Sequence, residues 1–393
     1  MRQILVAGVS VRALAESAAR AGYGVIGVDG FSDLDLRAVA VAAVRCHPYS
    51  ARDAARLARD APCDTVIYTS NFENDPAAIA ELLRSRRALR GAPSGHKRTL
   101  WGNTPAVIRR VRNPLRLAKL LARLGFAVPA VRATAPGARS TMPGAAQEWL
   151  LKPKASGGGQ GVVVWHPGER VPRGFVLQER MRGVPGSIAF VADGRDVVPL
   201  ALSRQLVGNR SLGATGFRYS GSVLVPPGDA MLPRDGEILA RATELAVAVT
   251  RAFGLVGVNG IDFIARGGVP YPVEVNPRPT GSMELAERAY GISIFATHVQ
   301  AMRGKLPEFD LVRERLAGGR GRHAGGAVGK ALVYARRTRK MRDTTRWLAD
   351  QSVRDIPPPG SVILAGRPIC TVFAEGRTGA ACLERLIARA RRV

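Results

Sequence analysis

The feature that most constrains this chain is the alternation at its start. Residues 4–9 form an apolar run that leads into Gly8, Val9 and Ser10, and residues 11–21 repeat apolar positions at helical spacing. Gly22 and Gly24 break that pattern, and residues 25–28 form a second apolar run closing on Asp29. A helical pattern returns over residues 51–60 and a strand-like one over residues 65–69. Strand–helix–strand repeats bury a parallel sheet between helices, so residues 1–110 read as a Rossmann-like, doubly wound domain. The turn Gly8-Val9-Ser10 lacks the G-x-G-x-x-G spacing, so no dinucleotide is assigned to it. The N-terminus runs straight into a strand, without the head and apolar stretch of a secretory signal. No apolar run nears the ~18 residues of a membrane span, and the longest, residues 39–44, is core-sized. A cytoplasmic protein without a membrane partner is expected.

The chain continues with a helical segment at residues 115–124, stopped by Gly125. A loop rich in Ala, Gly, Ser and Pro (134–146) follows, then a strand at 149–152 and mostly strands to residue 225. Residues 235–253 read as one long amphipathic helix. Strands at 260–265 and 271–275 flank the turn Arg266-Gly267-Gly268, and helices are expected at 284–290 and 292–303. A basic, glycine-rich linker (318–326) leads into a small β-rich segment that ends in a helix at 378–391. The expected class is α/β, α+β overall, in three parts: 1–110, 111–317 and 318–393.

Two constellations carry chemistry. The first is Lys152-Pro153-Lys154-Ala155-Ser156-Gly157-Gly158-Gly159-Gln160-Gly161. A glycine-rich loop between strands can turn backbone N–H groups onto phosphates, and Lys152 and Lys154 leave a regular strand on one face. It is not a Walker A loop, because the lysines precede the glycines. A hairpin with a flexible tip and exposed lysines would leave the same pattern. The second constellation is Asp262, then Glu274-Val275-Asn276-Pro277-Arg278. Glu274 and Asn276 share one strand face, and a hairpin would set Asp262 beside them. Two carboxylates and a carboxamide are hard oxygen ligands suited to Mg²⁺ beside phosphates, and Arg278 can reach a transferring phosphoryl group or a developing oxyanion. Surface carboxylates on a strand ended by Pro277 and Pro279 are the alternative. The alternating apolar residues weaken it, because they mark a half-buried strand.

Lysine strand, glycine loop, Gln178-Glu179-Arg180-Met181, then Asp262 and Glu274-Val275-Asn276 is an order that resembles the ATP-grasp superfamily over residues 1–310. Ile4–Leu14, Asn71-Phe72-Glu73-Asn74, residues 274–282 and the tail at 329–335 and 354–371 resemble the predicted ATP-dependent carboligases related to biotin carboxylase. That group is associated with tetrahydromethanopterin and methanofuran one-carbon metabolism. The resemblance implies a two-lobed nucleotide clamp behind the leading domain. Lys152, Lys154, Ser156, Gly157, Gly158, Gly159 and Gly161 would hold the phosphates, and Gln178, Glu179, Arg180 and Met181 the adenine. Gln205 would face the nucleotide or the acceptor. Asp262, Glu274 and Asn276 would bind one or two Mg²⁺ (or Mn²⁺), with Lys152 and Arg278 catalytic at the acyl-phosphate step. The resemblance also makes a homodimer plausible. The family's earlier phosphate-binding lysine is missing: Arg112-Asn113-Pro114 occupies that region, and Arg112 or Lys154 could replace it.

The implied reaction is ligation of a carboxylate to an amine through an acyl phosphate. An amino acid such as glutamate joined to a one-carbon-carrier precursor leads, and a carboxylase of the biotin-carboxylase kind is the second reading. No biotinyl-lysine carrier motif is present. Cys46, Cys63, Cys370 and Cys382 lack the spacing of a zinc site, the five histidines are dispersed, and no nucleophilic triad appears. Net charge is +27, but only seven of the 58 basic residues are lysine. Arginine and alanine enrichment points to coding bias, so the charge suggests an anionic partner without choosing it. A nucleic-acid reading rests on arginine stretches at 84–90, 109–116, 336–342 and 385–392. It is disfavoured by 6% aromatic content and the lack of interleaved stacking rings. Small-molecule or polyanionic carboxylate and amine substrates are expected instead.

Overall fold

The computed structural model describes residues 2–84, 97–135, 148–318 and 325–393. His96, His323 and most of the stretches at 84–90, 134–146 and 318–326 lie outside them. The leading region is a five-stranded sheet ordered Ala42–Arg45, Gly24–Asp29, Gln3–Ala7, Thr65–Tyr68, Thr99–Leu100, parallel throughout. Helices Arg12–Arg20, Leu34–Val39, Ala51–Leu57 and Pro76–Leu82 accompany it. Ile4, Leu5, Val6 and Ala7 are all fully buried, as a central strand covered on both faces requires. The run at residues 39–44 is not core. Val39 ends helix Leu34–Val39 and Val41 lies in the connection, both exposed, and only Ala42–Arg45 forms the edge strand. Strand order reverses beside Gln3–Ala7, so the carboxyl ends of that strand and Thr65–Tyr68 flank the switch point where such sheets take ligands.

Two large antiparallel sheets follow, besides a two-stranded ribbon of Arg339–Lys340 and Val362–Ile363. The smaller is ordered Val131–Arg132, Phe175–Glu179, Trp149–Pro153, Val163–Trp165. The larger has eight strands: Val269–Asn276, Val256–Arg266, Val184–Asp193, Val197–Val207, Tyr219–Leu224, Ala327–Tyr334, Pro368–Gly376 and Val353–Arg354. The last three come from the C-terminal segment, whose strands therefore extend this sheet.

Helix Asp235–Phe253 covers that sheet with Ile238, Leu239, Ala242, Leu245, Ala246, Val249 and Phe253, one buried stripe at three- and four-residue spacing. Asp235 and Glu237 suit its N-terminus, and Gly254 ends it at φ +72°. Each fully buried large side chain there contributes about 1.5–3 kcal/mol. His298 locks a neighbouring helix, Ile294–Ala301, against strand Val256–Arg266. Its Nδ1 accepts from Val258 N–H at 3.0 Å and its Nε2 lies 3.2 Å from Trp101 O. Burial holds it down at about 4. Gly257, at φ +69°, leaves room for the ring, since a methyl there would lie 2.5 Å from it. All four cysteines are free and buried. Among the described residues no helix is long and apolar enough to cross a membrane.

Candidate active site

Strands Val256–Arg266 and Val269–Asn276 pair as a hairpin that sets Asp262 directly opposite Glu274 and Gly260 opposite Asn276. Ile261, Phe263 and Val275 point into the core, so the polar residues between them share the other face. Asp262 accepts from Gln205 Nε2 (2.8 Å) and from Asn276 Nδ2 (3.0 Å). Asn276 Oδ1 accepts from Arg278 Nη2 at 3.3 Å. Glu274 is paired with the Arg112 guanidinium, and Lys152 Nζ stands 3.7 Å away. Lys152 Nζ donates to Val273 O at 2.9 Å, and Gln178 Nε2 reaches the same oxygen at 3.5 Å. The small sheet is thereby tied to the hairpin.

The two carboxylates stand in different fields. Burial pushes Asp262 up to about 6, the negative Glu274 adds to it, and the Asn276 and Gln205 amides with the Arg278 charge only partly offset them. Burial also raises Glu274, but Arg112 and Lys152 outweigh it and hold that group at about 2. Burial lowers Lys152, against the pull of Glu274. Both cations thus serve one carboxylate while its cross-strand partner has only amide donors. Two hard carboxylates and a carboxamide, one carboxylate undercompensated, suit a divalent cation that also takes phosphate oxygens.

The glycine loop lies over this group. Gly158, Gly159 and Gly161 have φ of +61°, +73° and +75°. Gly158 O accepts from Tyr219 N–H at 3.0 Å, and a methyl on Gly159 would fall 1.8 Å from Phe217 O. Ser156 O accepts from Arg112 Nη2 at 3.0 Å. The strand ends at Pro153, so Lys154 sits exposed beyond it and does not join Lys152. Gln178 is buried on Phe175–Glu179. Glu179 binds back to Ala130 N–H at 3.0 Å, Met181 is half-buried, and exposed Arg180 lies 5.9 Å from the Phe217 ring.

The leading region adds residues to which the sequence reading gave no role. Glu73 is fully buried and accepts from Arg278 Nε at 2.6 Å, while its Oε2 has no partner. Asn74 Oδ1 accepts from Arg112 Nη2 at 2.8 Å. Both follow strand Thr65–Tyr68 on a turn held by Asn71 at φ +80°. The signal for them was Asn71-Phe72-Glu73-Asn74 directly after a central strand, at the switch point. The structure brings together Lys152, Gln178, Gln205, Asp262, Glu274, Asn276 and Arg278, and leaves Lys154 and Arg180 at the periphery.

Residues 111–282 match the ATP-grasp domain family. Among particular relatives, formate-dependent phosphoribosylglycinamide formyltransferase of Hahella chejuensis is 31% identical over 166 residues, 39% of each chain. Matches to the first curated relatives span 21–42% of their length. N5-carboxyaminoimidazole synthetase of Staphylococcus aureus, solved with ADP, has a TM-score of 0.66 at 16% identity, covering 99% of this chain and 97% of that one. The biotin carboxylase domain dimer of Hydrogenobacter thermophilus 2-oxoglutarate carboxylase, solved with MgADP and bicarbonate, gives 0.66 at 14%, covering 98% and 88%. At such identities the likeness establishes the fold.

Proposed function

We propose that this chain is an ADP-forming ligase that transfers the γ-phosphoryl group of ATP to a carboxylate and passes the resulting acyl group to an amine. The observation that carries the reading is the convergence of Lys152, Arg278, Asp262, Glu274 and Asn276 beneath a glycine loop, against the switch point of the leading sheet. Asp262, Glu274 and Asn276 would hold Mg²⁺, which when bound neutralises phosphate charge. Lys152, whose Nζ donates to Val273 O beside Glu274, would hold the phosphates. Arg278, fixed by Glu73, would turn its planar donor fork to the charge that develops on the transferring group. Positioning and charge neutralisation suffice for this chemistry, so no protein nucleophile is needed.

The acceptor we favour is a one-carbon-carrier precursor of the tetrahydromethanopterin or methanofuran type, joined to glutamate or a similar amino acid. The resemblance of the N-terminal strand, Asn71–Asn74 and residues 274–282 supports it. A carboxylase acting on bicarbonate is the second reading, favoured by whole-chain fold likeness to a biotin carboxylase domain solved with that anion. Purified protein given both substrates should release ADP and move ¹⁸O from labelled carboxylate into phosphate. Turnover with bicarbonate alone would favour the carboxylase. Salt-sensitive RNA binding without turnover would remove both.

A further inference from the structure

Three segments that pack together beside the glycine loop carry no acid. Residues 197–228, 327–342 and 356–374 hold ten lysines and arginines and not one Asp or Glu. At the chain's own frequency, 31 acids in 393 residues, segments of that combined length would hold about five. A coding bias enriches arginine, but it does not strip acids from segments that meet only in the folded chain. Arg218 Nη1 donates to Gly366 O at 2.5 Å, and Arg336 Nη2 donates to Arg210 O at 2.9 Å and Ser211 O at 3.3 Å. Ala335 N–H donates to Arg367 O at 2.9 Å. Gly213, at φ +80°, lets Tyr334 O approach, which a methyl there would meet at 2.4 Å. Arg210, Arg336, Arg337 and Arg367 are exposed, and Arg218 is half-buried. Among the described residues none of these five arginines is paired with a carboxylate, and the side-chain bonds of Arg218 and Arg336 go to backbone carbonyls.

We propose that these arginines bind an acidic tail on the acceptor, a run of carboxylates beyond the group that reacts, so that the substrate is an oligocarboxylate. The argument rests on the ligase reading above. The row starts at the site itself. Gly159 lies against Phe217 O, Tyr219 N–H donates to Gly158 O at 3.0 Å, and Arg218 stands between those two residues. From there the contacts run outward in order: Arg218 to the residue before Arg367, Arg367 to the residue before Arg336, and Arg336 to Arg210. An acid-free surface beside a cleft concentrates anions, and each guanidinium can take a carboxylate bidentately. The five cations stand on three separate segments and form a row, which suits repeated carboxylates better than one phosphate held from all sides. Nucleic acid fits less well. Phe217, Tyr219 and Tyr334 are half-buried and Phe373 is buried, so these segments expose no ring on which a base could stack.

The test follows fluorescein-labelled tetraglutamate binding to the full chain by anisotropy, at low salt with MgADP present, beside ADP binding by titration calorimetry. The double variant Arg210→Glu/Arg367→Glu should weaken peptide binding about 10-fold, and Arg210→Gln/Arg367→Gln by a smaller factor. The control Arg241→Glu/Arg303→Glu makes the same change of charge at exposed positions, on helix Asp235–Phe253 and just after helix Ile294–Ala301. It should leave peptide affinity within about twofold, and ADP affinity should stay within about twofold in every variant. Equal weakening by the two Glu pairs would reduce the row to the general field of the chain and overturn the proposal. Displacement of the peptide by inorganic phosphate or an RNA pentamer at a lower concentration than unlabelled tetraglutamate needs would overturn it too. If the Glu pair does not fold, the Gln pair decides by the same comparison. A wild type that binds ADP but not tetraglutamate overturns the tail site alone, whereas one that binds the peptide but not ADP overturns the ATP reading, which separates the two failures.

Discussion

Two arginines twelve and 112 residues into the chain sit in ion-pair clusters of similar composition and contrasting finish. Arg12 is 1% exposed, and all five of its donors are used. Its Nε and Nη2 go to Asp355 at 3.0 and 3.1 Å, Nη2 also to Glu284 at 3.2 Å, and Nη1 to Glu16 and Glu284. Lys330 adds a bond to Glu284 at 3.1 Å, and Thr371 one to Asp355. Burial raises Glu284, but Arg12 and Lys330 hold it well below the usual carboxylate range. That cluster joins the leading region, helix Met283–Tyr290 and the C-terminal strands, with no donor of Arg12 to spare. Around Arg112 a donor is spare, Glu73 Oε2 is unpartnered, and Asp262 is hydrogen-bonded only by amides. Buried polar groups are ordinarily satisfied, so a saturated cluster is an anchor and an unsaturated one is built around something it must release or receive.

The contrast can be broken by mutation, and the largest effect belongs to the anchor. Arg12→Ala should cost about 3–5 kcal/mol of unfolding free energy, because it strands Glu284 and Asp355 in the interior. Chemical denaturation checks this, and a loss under 1 kcal/mol would make Arg12 no anchor. At the other cluster, Glu274→Gln should lower turnover by about 10²- to 10³-fold and, by taking the carboxylate from Arg112 and Lys152, cost up to about 3 kcal/mol of unfolding free energy without unfolding the chain. A variant that is active, or unfolded, would erase the distinction.

His298 gives the next effect, in a place with no charge partner at all. Its folded pKa, about 4, lies below the ordinary value near 6.5, so the unfolded chain binds more protons between those limits. Its contribution is therefore complete above pH ~6.5 and lost as pH falls to ~4, by up to about 3 kcal/mol. The stability gap between wild type and His298→Gln should shrink by that amount over the window. Comparing the two chains cancels the opposite trend of Asp262, whose raised pKa favours the folded state at low pH. A constant gap would rule out a neutral, buried His298.

Smaller effects sharpen the boundary of the site. Gly159→Ala should reduce ADP affinity about tenfold with little change in melting temperature, since the methyl forces the loop off Phe217 O. Unchanged affinity would mean that loop position is irrelevant to nucleotide. Lys154→Ala should change ADP affinity less than threefold, as its exposure beyond the strand suggests. A larger loss would return it to the phosphates.

What the sequence disclosed, it disclosed through periodicity and through residues two apart on one strand. The helix at 235–253, the hairpin around Arg266-Gly267-Gly268 and the shared face of Asp262, Glu274 and Asn276 were all readable that way. Helices Leu34–Val39 and Pro76–Leu82 were not, because six or seven residues hold too little periodic signal. The edge strand Ala42–Arg45 was not read as a strand, because four residues hold too little period-two signal. Lys154 was grouped with Lys152 on the assumption that the strand continues, and it stops at Pro153. Glu73, Asn74 and the contacts of Arg112 are long-range, joining residues 38 to 205 positions apart, and no local pattern encodes them.

The central claim, that this site makes an acyl phosphate from ATP, can be tested before the amine is known. ATP carrying ¹⁸O in the β–γ bridge is incubated with the protein, Mg²⁺ and candidate carboxylates, including glutamate, formate and bicarbonate, without amine. Reversible phosphoryl transfer lets the β-phosphate of bound ADP rotate, so label should scramble into its non-bridging positions with the true carboxylate and not in Glu274→Gln. Wild-type protein that binds ATP and scrambles no label with any of these carboxylates would contradict the account.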